Sequence, residues 1–279
     1  MKRREDKSPI PQTQMRRFYE TLRMLNAADI HQVICEYLSG ADARLDRVRE
    51  MFGSSVKHAE QYRNEEEHFH DRCDPDWHSS YSADRGEFAR ALVARLKKRG
   101  IVSLSCRDDD LGFEIVDYEV SPMRTTGSFF DDGTSGKKSG VGGMDLLLRS
   151  TMTNRPIIGE VKAPTDTNIF LALIQALVYA VELSTPAQLS RLQRHYNWPD
   201  RLIPGDVRSE IYLFYAQEEE PKLLRETQRL ADRLLAAPEN GSSTGVHVRD
   251  WIARVAFVEA HLGDDESVSV HVGHVAFGE

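Results

Sequence analysis

Residues 144–164 read MDLLLRSTMTNRPIIGEVKAP, and this stretch decides the fold. It contains two short runs rich in strand-forming residues, MDLLLRS (144–150) and PIIGEVK (156–162). The polar residues between them make a connection of hairpin length. The two runs are therefore predicted to be neighbouring strands of one sheet.

This hairpin carries three charged residues whose spacing indicates a site. Side chains alternate between the faces of a strand, so Glu160 and Lys162 share one face and Val161 packs on the other. Pairing of the two strands brings Asp145, at the start of the first strand, to the same patch. Charges within an apolar strand are costly unless a metal, a partner or solvent compensates them.

The residue types suit a magnesium site. Two carboxylates, from Asp145 and Glu160, and the backbone carbonyl of Val161 are the hard oxygen ligands that Mg²⁺ prefers. A bound cation lowers the pKa of a water molecule and neutralises a phosphate oxygen, while Lys162 can orient that water or stabilise the added negative charge. The chemistry indicated is phosphodiester hydrolysis.

Hydrophobic periodicity predicts the elements around this hairpin. Three N-terminal helices are expected at 15–25, 27–38 and 43–52. The following elements are predicted in this order: helix 85–100, strand 113–120, strands 144–150 and 156–162, helix 168–183, and strand 211–216. A charged helix at 221–237 and two strand candidates at 254–262 and 267–277 complete the chain. We expect a helical N-terminal region with a linker over 1–80 and a second domain over 81–279.

The chain resembles the PD-(D/E)XK nuclease superfamily, which has a restriction endonuclease-like fold. Asp145, Glu160 and Lys162 stand at its three signature positions, with Met144 in place of the nominal proline. The resemblance covers roughly residues 81–216. It implies an α/β fold with an α-β-β-β-α-β core, a mixed sheet flanked by helices, and Mg²⁺- or Mn²⁺-dependent cleavage of DNA.

The resemblance implies three further site residues. Glu87, in the helix before the first strand, corresponds to an additional metal-facing acid. Gln175 and Tyr179 correspond to a pair four residues apart that some exonuclease-like members carry, and Glu182 continues their helical face. Each has an ordinary structural alternative. Glu87 is a first-turn acid that the helix dipole favours, and the Tyr179 ring can simply be buried.

Two other segments contain residue types that are common in binding sites. The Gly-rich stretch 121–143 lacks the glycine spacing of a phosphate-binding P-loop, but its Arg124, Lys137 and Lys138 are candidates for contact with the nucleic-acid backbone. The grouped residues His68, His70, Cys73 and His78 match no closed zinc motif.

The overall charge is acidic, with 36 Lys and Arg against 44 Asp and Glu and a net charge of −8. Residues 85–184 hold 13 basic and 13 acidic groups, so the excess lies in the flanks. This balance predicts weak, salt-sensitive affinity for DNA and favours a homo-oligomer or a separate partner such as a helicase or recognition protein. The three scattered Cys and the lack of a signal peptide or membrane-length apolar run predict a cytoplasmic protein.

The sequence therefore predicts a metal-dependent nuclease acting on DNA, which would suit a bacterial defence or restriction system. Three alternatives stay open: a nuclease of the same fold acting on RNA or branched DNA, a non-catalytic nucleic-acid- or protein-binding module, and an interaction protein in which the three charged residues coincide by chance. A further alternative for Glu160 and Lys162 is an ion pair on a solvated sheet face.

Overall fold

The chain is described by a computed structural model. It covers residues 13–39, 43–59, 83–106, 109–120, 144–164, 168–216, 221–236 and 247–278. The linker, predicted over residues 60–82, the cluster around Cys73 and the Gly-rich stretch 121–143 lie outside these residues.

Eight helices and seven strands are found in the described ranges. The helices are α1 Gln14–Arg23, α2 Ala27–Ser39, α3 Ala43–Ala59, α4 Ala83–Arg99, α5 Ile169–Leu183, α6 Pro186–His195, α7 Pro221–Leu235 and α8 Val248–Trp251. The strands are β1 Val102–Cys106, β2 Asp109–Val120, β3 Met144–Ser150, β4 Pro156–Lys162, β5 Ser209–Tyr215, β6 Ile252–Leu262 and β7 Val268–Phe277. No single helix among them is long and apolar enough to span a membrane, although α5 and the end of α6, bent by 85°, pass together on length and composition.

The seven strands form one mixed sheet whose spatial order is the sequence order. Strands β1 to β4 are antiparallel, β4, β5 and β6 run parallel, and β7 returns antiparallel to β6. The parallel pairs are joined by the crossover helices α5, α6, α7 and α8, as parallel connections require. The hairpin predicted over residues 144–162 is therefore confirmed as β3 and β4.

Alternation of apolar side chains gives the sheet two buried faces. Leu147, Ile158 and Leu213 pack in one cluster with helices α1, α2, α3, α5 and α7. Leu146, Ile157 and Phe214 pack in a second cluster with helix α4. Each strand thus contributes side chains to both clusters, which explains why β4 and β5 are buried along their whole length.

The predicted restriction endonuclease-like fold is wrong. The sheet does not end after four strands flanked by helices: β1 is added on one side, β6 and β7 on the other, and β1 comes close to β7. Strand twist accumulates over seven strands and curls the sheet almost into a barrel, with α4 packed against its inner face. The local sequence patterns found six of the seven strands individually and missed β1, and they carried no information on how many strands would join one sheet.

The β3–β4 register depends on a glycine. Gly159 pairs with Leu146, and a Cβ on Gly159 would lie 2.7 Å from the Leu146 Cβ. Real Cβ atoms do not approach so closely, and the Leu146 Cβ is fixed to its own backbone. The absence of a side chain at position 159 therefore lets the two strands pair at this point.

Substitution Gly159→Ala is expected to destabilise the fold by about 1–3 kcal/mol through overpacking between β3 and β4. Urea denaturation measures the change. Gly112→Ala is the matched control in β2, because its added methyl meets the Thr151 hydroxyl, which can rotate away. An equal loss in both variants would contradict the role given to the Leu146 contact.

Candidate active site

The site begins where the β3–β4 ladder ends. The paired residues run from Arg149 and Pro156 to Leu146 and Gly159, which sets Asp145 opposite Glu160 one position further on. There the backbone N–H of Val161 donates to Asp145 Oδ2 at 2.7 Å. The Asp145 carboxylate is therefore tied directly to the strand segment that carries the other two charges.

Glu160 and Lys162 are buried in β4. Their exposed fractions are 1% and 8%, and they lie on the face of Ile158, whereas Val161 packs into the opposite core. The alternative of an ion pair on a solvated sheet face is thus excluded. Asp145 is only half-buried, so it is the member of the trio nearest to solvent.

Helix α5 covers this face of β4 and brings Gln175 and Tyr179 to it. The helix begins at an Asn168 cap whose side chain accepts from the backbone N–H of Leu171 at 3.0 Å. Gln175 is half-buried, and Tyr179 is 2% exposed and close enough to Glu160 to feel its charge. The predicted pair is therefore brought to the same face as the β4 charges.

Helix α1 supplies residues that sequence reasoning missed. The Tyr19 hydroxyl donates to Gln175 Oε1 at 2.7 Å. Arg16 Nε donates to Glu182 Oε1 at 2.7 Å, and its Nη2 donates to Oε2 at 2.8 Å. The Arg16 guanidinium also lies 5.9 Å from the centre of the Tyr179 ring. The first described helix is thus bound to the site helix by polar contacts.

Burial and charge keep both phenols protonated. Burial raises the pKa of Tyr19 well above its usual range, and the carboxylates of Glu160 and Asp145 raise it further. The pKa of Tyr179 is raised by burial first and by Glu160 second. At neutral pH both phenols therefore keep their proton and do not act as bases.

The remaining predicted residues are Glu87, Arg124, Lys137 and Lys138. Arg124, Lys137 and Lys138 lie outside the described residues, and so does the side chain of Glu87. The helix that carries Glu87, α4, packs in the cluster on the other face of the sheet. Within the described ranges, no three His, Cys, Asp or Glu side chains gather closely enough to hold a metal on their own.

No protein-family model, curated protein or solved structure matches this chain. The superfamily resemblance stays a prediction from the residues.

One sequence signal pointed toward the missed helix. Glu182 is a charged residue in the otherwise apolar run of α5, and it is fully buried. A buried carboxylate requires a cation or several hydrogen bonds. The sequence therefore indicates that Glu182 has a partner. It does not indicate that this partner is Arg16, because the two residues are 166 positions apart.

The Arg16–Glu182 pair gives a pH-dependent prediction. Burial raises the pKa of the Glu182 carboxyl, and Arg16 opposes that shift. Arg16→Met leaves a buried carboxylate uncompensated, with an expected loss of about 3–5 kcal/mol at neutral pH. Protonation of Glu182 removes the uncompensated charge, so the deficit relative to wild type should be small at acidic pH and should grow as the pH rises to mildly alkaline values.

Urea midpoints across this pH range measure the effect. Arg23→Met, which removes an exposed pair with Glu20 on the same helix, is the matched control and should cost less than about 1 kcal/mol. Adding Glu182→Gln to Arg16→Met should recover part of the loss. A deficit that does not change with pH would show that Glu182 is not the group responsible.

Proposed function

We propose that this chain is a metal-dependent nuclease that hydrolyses phosphodiester bonds, with DNA as its substrate. One observation carries the proposal: the Asp145 carboxylate accepts from the backbone N–H of Val161, the residue between Glu160 and Lys162, which are buried on one face of the sheet. Two acids and one amine in this arrangement are costly to bury as a purely structural feature. They match the requirements of a hydrolytic phosphoryl-transfer site.

The donor set fits a hard divalent cation. Asp145 and Glu160 lie opposite each other on paired strands, and the Val161 carbonyl belongs to the same segment. Mg²⁺ is commonly bound through one or two carboxylates with water and substrate phosphate, so a closed cage of three acids is not required. When bound, such an ion supplies charge neutralisation at phosphate oxygens and acidifies a water molecule.

The neighbouring side chains contribute donors and positive charge. Lys162 shares the face of Glu160, where an ammonium can orient the attacking water or stabilise charge that develops on the phosphoryl oxygens. The protonated Tyr179 hydroxyl lies within the field of Glu160 and offers a further donor. Half-buried Asp145 marks the side from which a polymer would approach the buried groups.

The charge distribution indicates that the chain alone would bind its substrate weakly. Excess acid lies outside residues 85–184, and Arg124, Lys137 and Lys138 are our candidates for phosphate contact. A homo-oligomer or a separate helicase or recognition subunit would supply the affinity that a chain of net charge −8 lacks. We also propose a role in bacterial defence.

Asp145→Asn, Glu160→Gln and Lys162→Met should each lower cleavage by about 100-fold or more, because each removes one charge that the reaction uses. The assay incubates the protein with supercoiled, linear, branched and single-stranded DNA and with RNA, in Mg²⁺, Mn²⁺ or EDTA. The substrate cut fastest separates DNA from RNA or branched DNA.

Glu114→Gln is the matched control for these substitutions. It neutralises a half-buried carboxylate of the same sheet that pairs with Arg149, and cleavage should be unchanged. The nuclease proposal would be overturned in favour of a non-catalytic module if the wild-type protein never cuts. The same holds if the variants of Asp145, Glu160 and Lys162 cut as well as wild type.

Metal binding can be tested without cleavage. Titration calorimetry with Mn²⁺ should show binding to wild type that is weakened at least tenfold in Asp145→Asn and Glu160→Gln, because each loses a charged oxygen ligand. Glu114→Gln should bind like wild type. Equal Mn²⁺ affinity in all four proteins would place any metal elsewhere.

A further inference from the structure

The contact between α1 and α5 joins the N-terminal helix to the candidate active site. The Tyr19 hydroxyl donates to Gln175 Oε1 across a sequence separation of 156 residues. The Tyr19 phenol also feels the charges of Glu160 and Asp145, which stand opposite each other on β3 and β4. Tyr19 therefore contacts the polar residue of α5 and lies near enough to the site carboxylates to feel their charge.

This hydrogen bond fixes the carboxamide of Gln175. A phenol has a single proton, and here that proton points to the carbonyl oxygen Oε1. The NH₂ group of Gln175 must then point to the other side of the carboxamide and stay in one orientation. Tyr179, four residues further along α5, lies on the same helical face and next to Glu160.

Anchoring of α1 does not depend on this hydroxyl. Met15 and Leu22 are buried in the core that α1 shares with α5, and Arg16 holds Glu182 through two hydrogen bonds. The Phe18 ring packs edge-on against Tyr37, with 6.0 Å between ring centres. The Tyr19 hydroxyl, which donates to Gln175, is therefore not needed to hold α1 in place and is available for a role in the site.

We propose that Tyr19 is a positioning residue of the site, which acts through Gln175. By holding Oε1, it directs the Gln175 NH₂ group to donate to a non-bridging oxygen of the phosphodiester bound at Asp145, Glu160 and Lys162. This inference rests on the proposed nuclease function. It makes the N-terminal helix part of the catalytic unit and assigns it a specific contact.

The test is a double-mutant cycle on cleavage. Tyr19→Phe removes only the hydroxyl and should lower kcat about tenfold, with KM changed less than about twofold. Gln175→Ala should lower kcat by at least as much. Tyr19→Phe added to Gln175→Ala should have no further effect, because the phenol acts only through the carboxamide.

Two measurements independent of cleavage accompany the cycle. In ¹H–¹⁵N spectra, the Gln175 side-chain NH₂ pair, assigned by its absence in Gln175→Ala, should shift in Tyr19→Phe and stay in place in the control Tyr118→Phe. Tyr118 packs on the opposite face of the sheet. Mn²⁺ affinity should be the same in wild type and Tyr19→Phe, since the phenol is not a ligand.

The outcomes separate the two proposals. A wild type that cuts, together with a Tyr19→Phe variant that cuts equally well or an additive cycle, would overturn the role of Tyr19 and leave the nuclease function standing. Failure of wild type to cut any substrate would overturn both. An unshifted Gln175 resonance in Tyr19→Phe would contradict the orienting contact itself, whatever the cleavage rates.

Discussion

The site depends on the hydrogen bond from the Val161 N–H to the Asp145 carboxylate. It lies at the end of the β3–β4 ladder, where a backbone group would otherwise lose its partner. A side chain takes that place, and in doing so an acid is fixed beside the strand that carries Glu160 and Lys162. The close approach at Gly159 sets the register that makes this possible. The pairing of β3 with β4 therefore fixes the geometry of the site.

Burial makes this constraint consequential. Glu160 and Glu182 are both within the core between the sheet and the helices, where an uncompensated charge is expensive. Glu182 is compensated by the paired guanidinium of Arg16, whose position on α1 also sets where Tyr19 lies. The ion pair that compensates Glu182 therefore also brings Tyr19 of α1 near Glu160.

The sequence predicted local structure well and architecture poorly. β3 and β4 were located because they are short runs of strand-forming residues, and α5 because it is a long apolar run. The alternation of side chains along a strand placed Glu160 and Lys162 on one face. Short β1 and α8 were missed, since five residues or a single turn give too little periodicity. The ten-residue helix α6 was not predicted either. The sheet curl and the Arg16–Glu182 contact depend on packing between distant segments, which no local pattern encodes.

The separation of Arg16 and Glu182 also has a consequence for biosynthesis. Helix α1 leaves the ribosome before α5, because the carboxylate that it binds is made 166 residues later. During that interval its buried side chains, Met15 and Leu22 among them, lack the α5 part of their packing. Contacts of such long range are closed late in folding. The nascent chain thus carries an incomplete N-terminal helical layer until the site helix is complete.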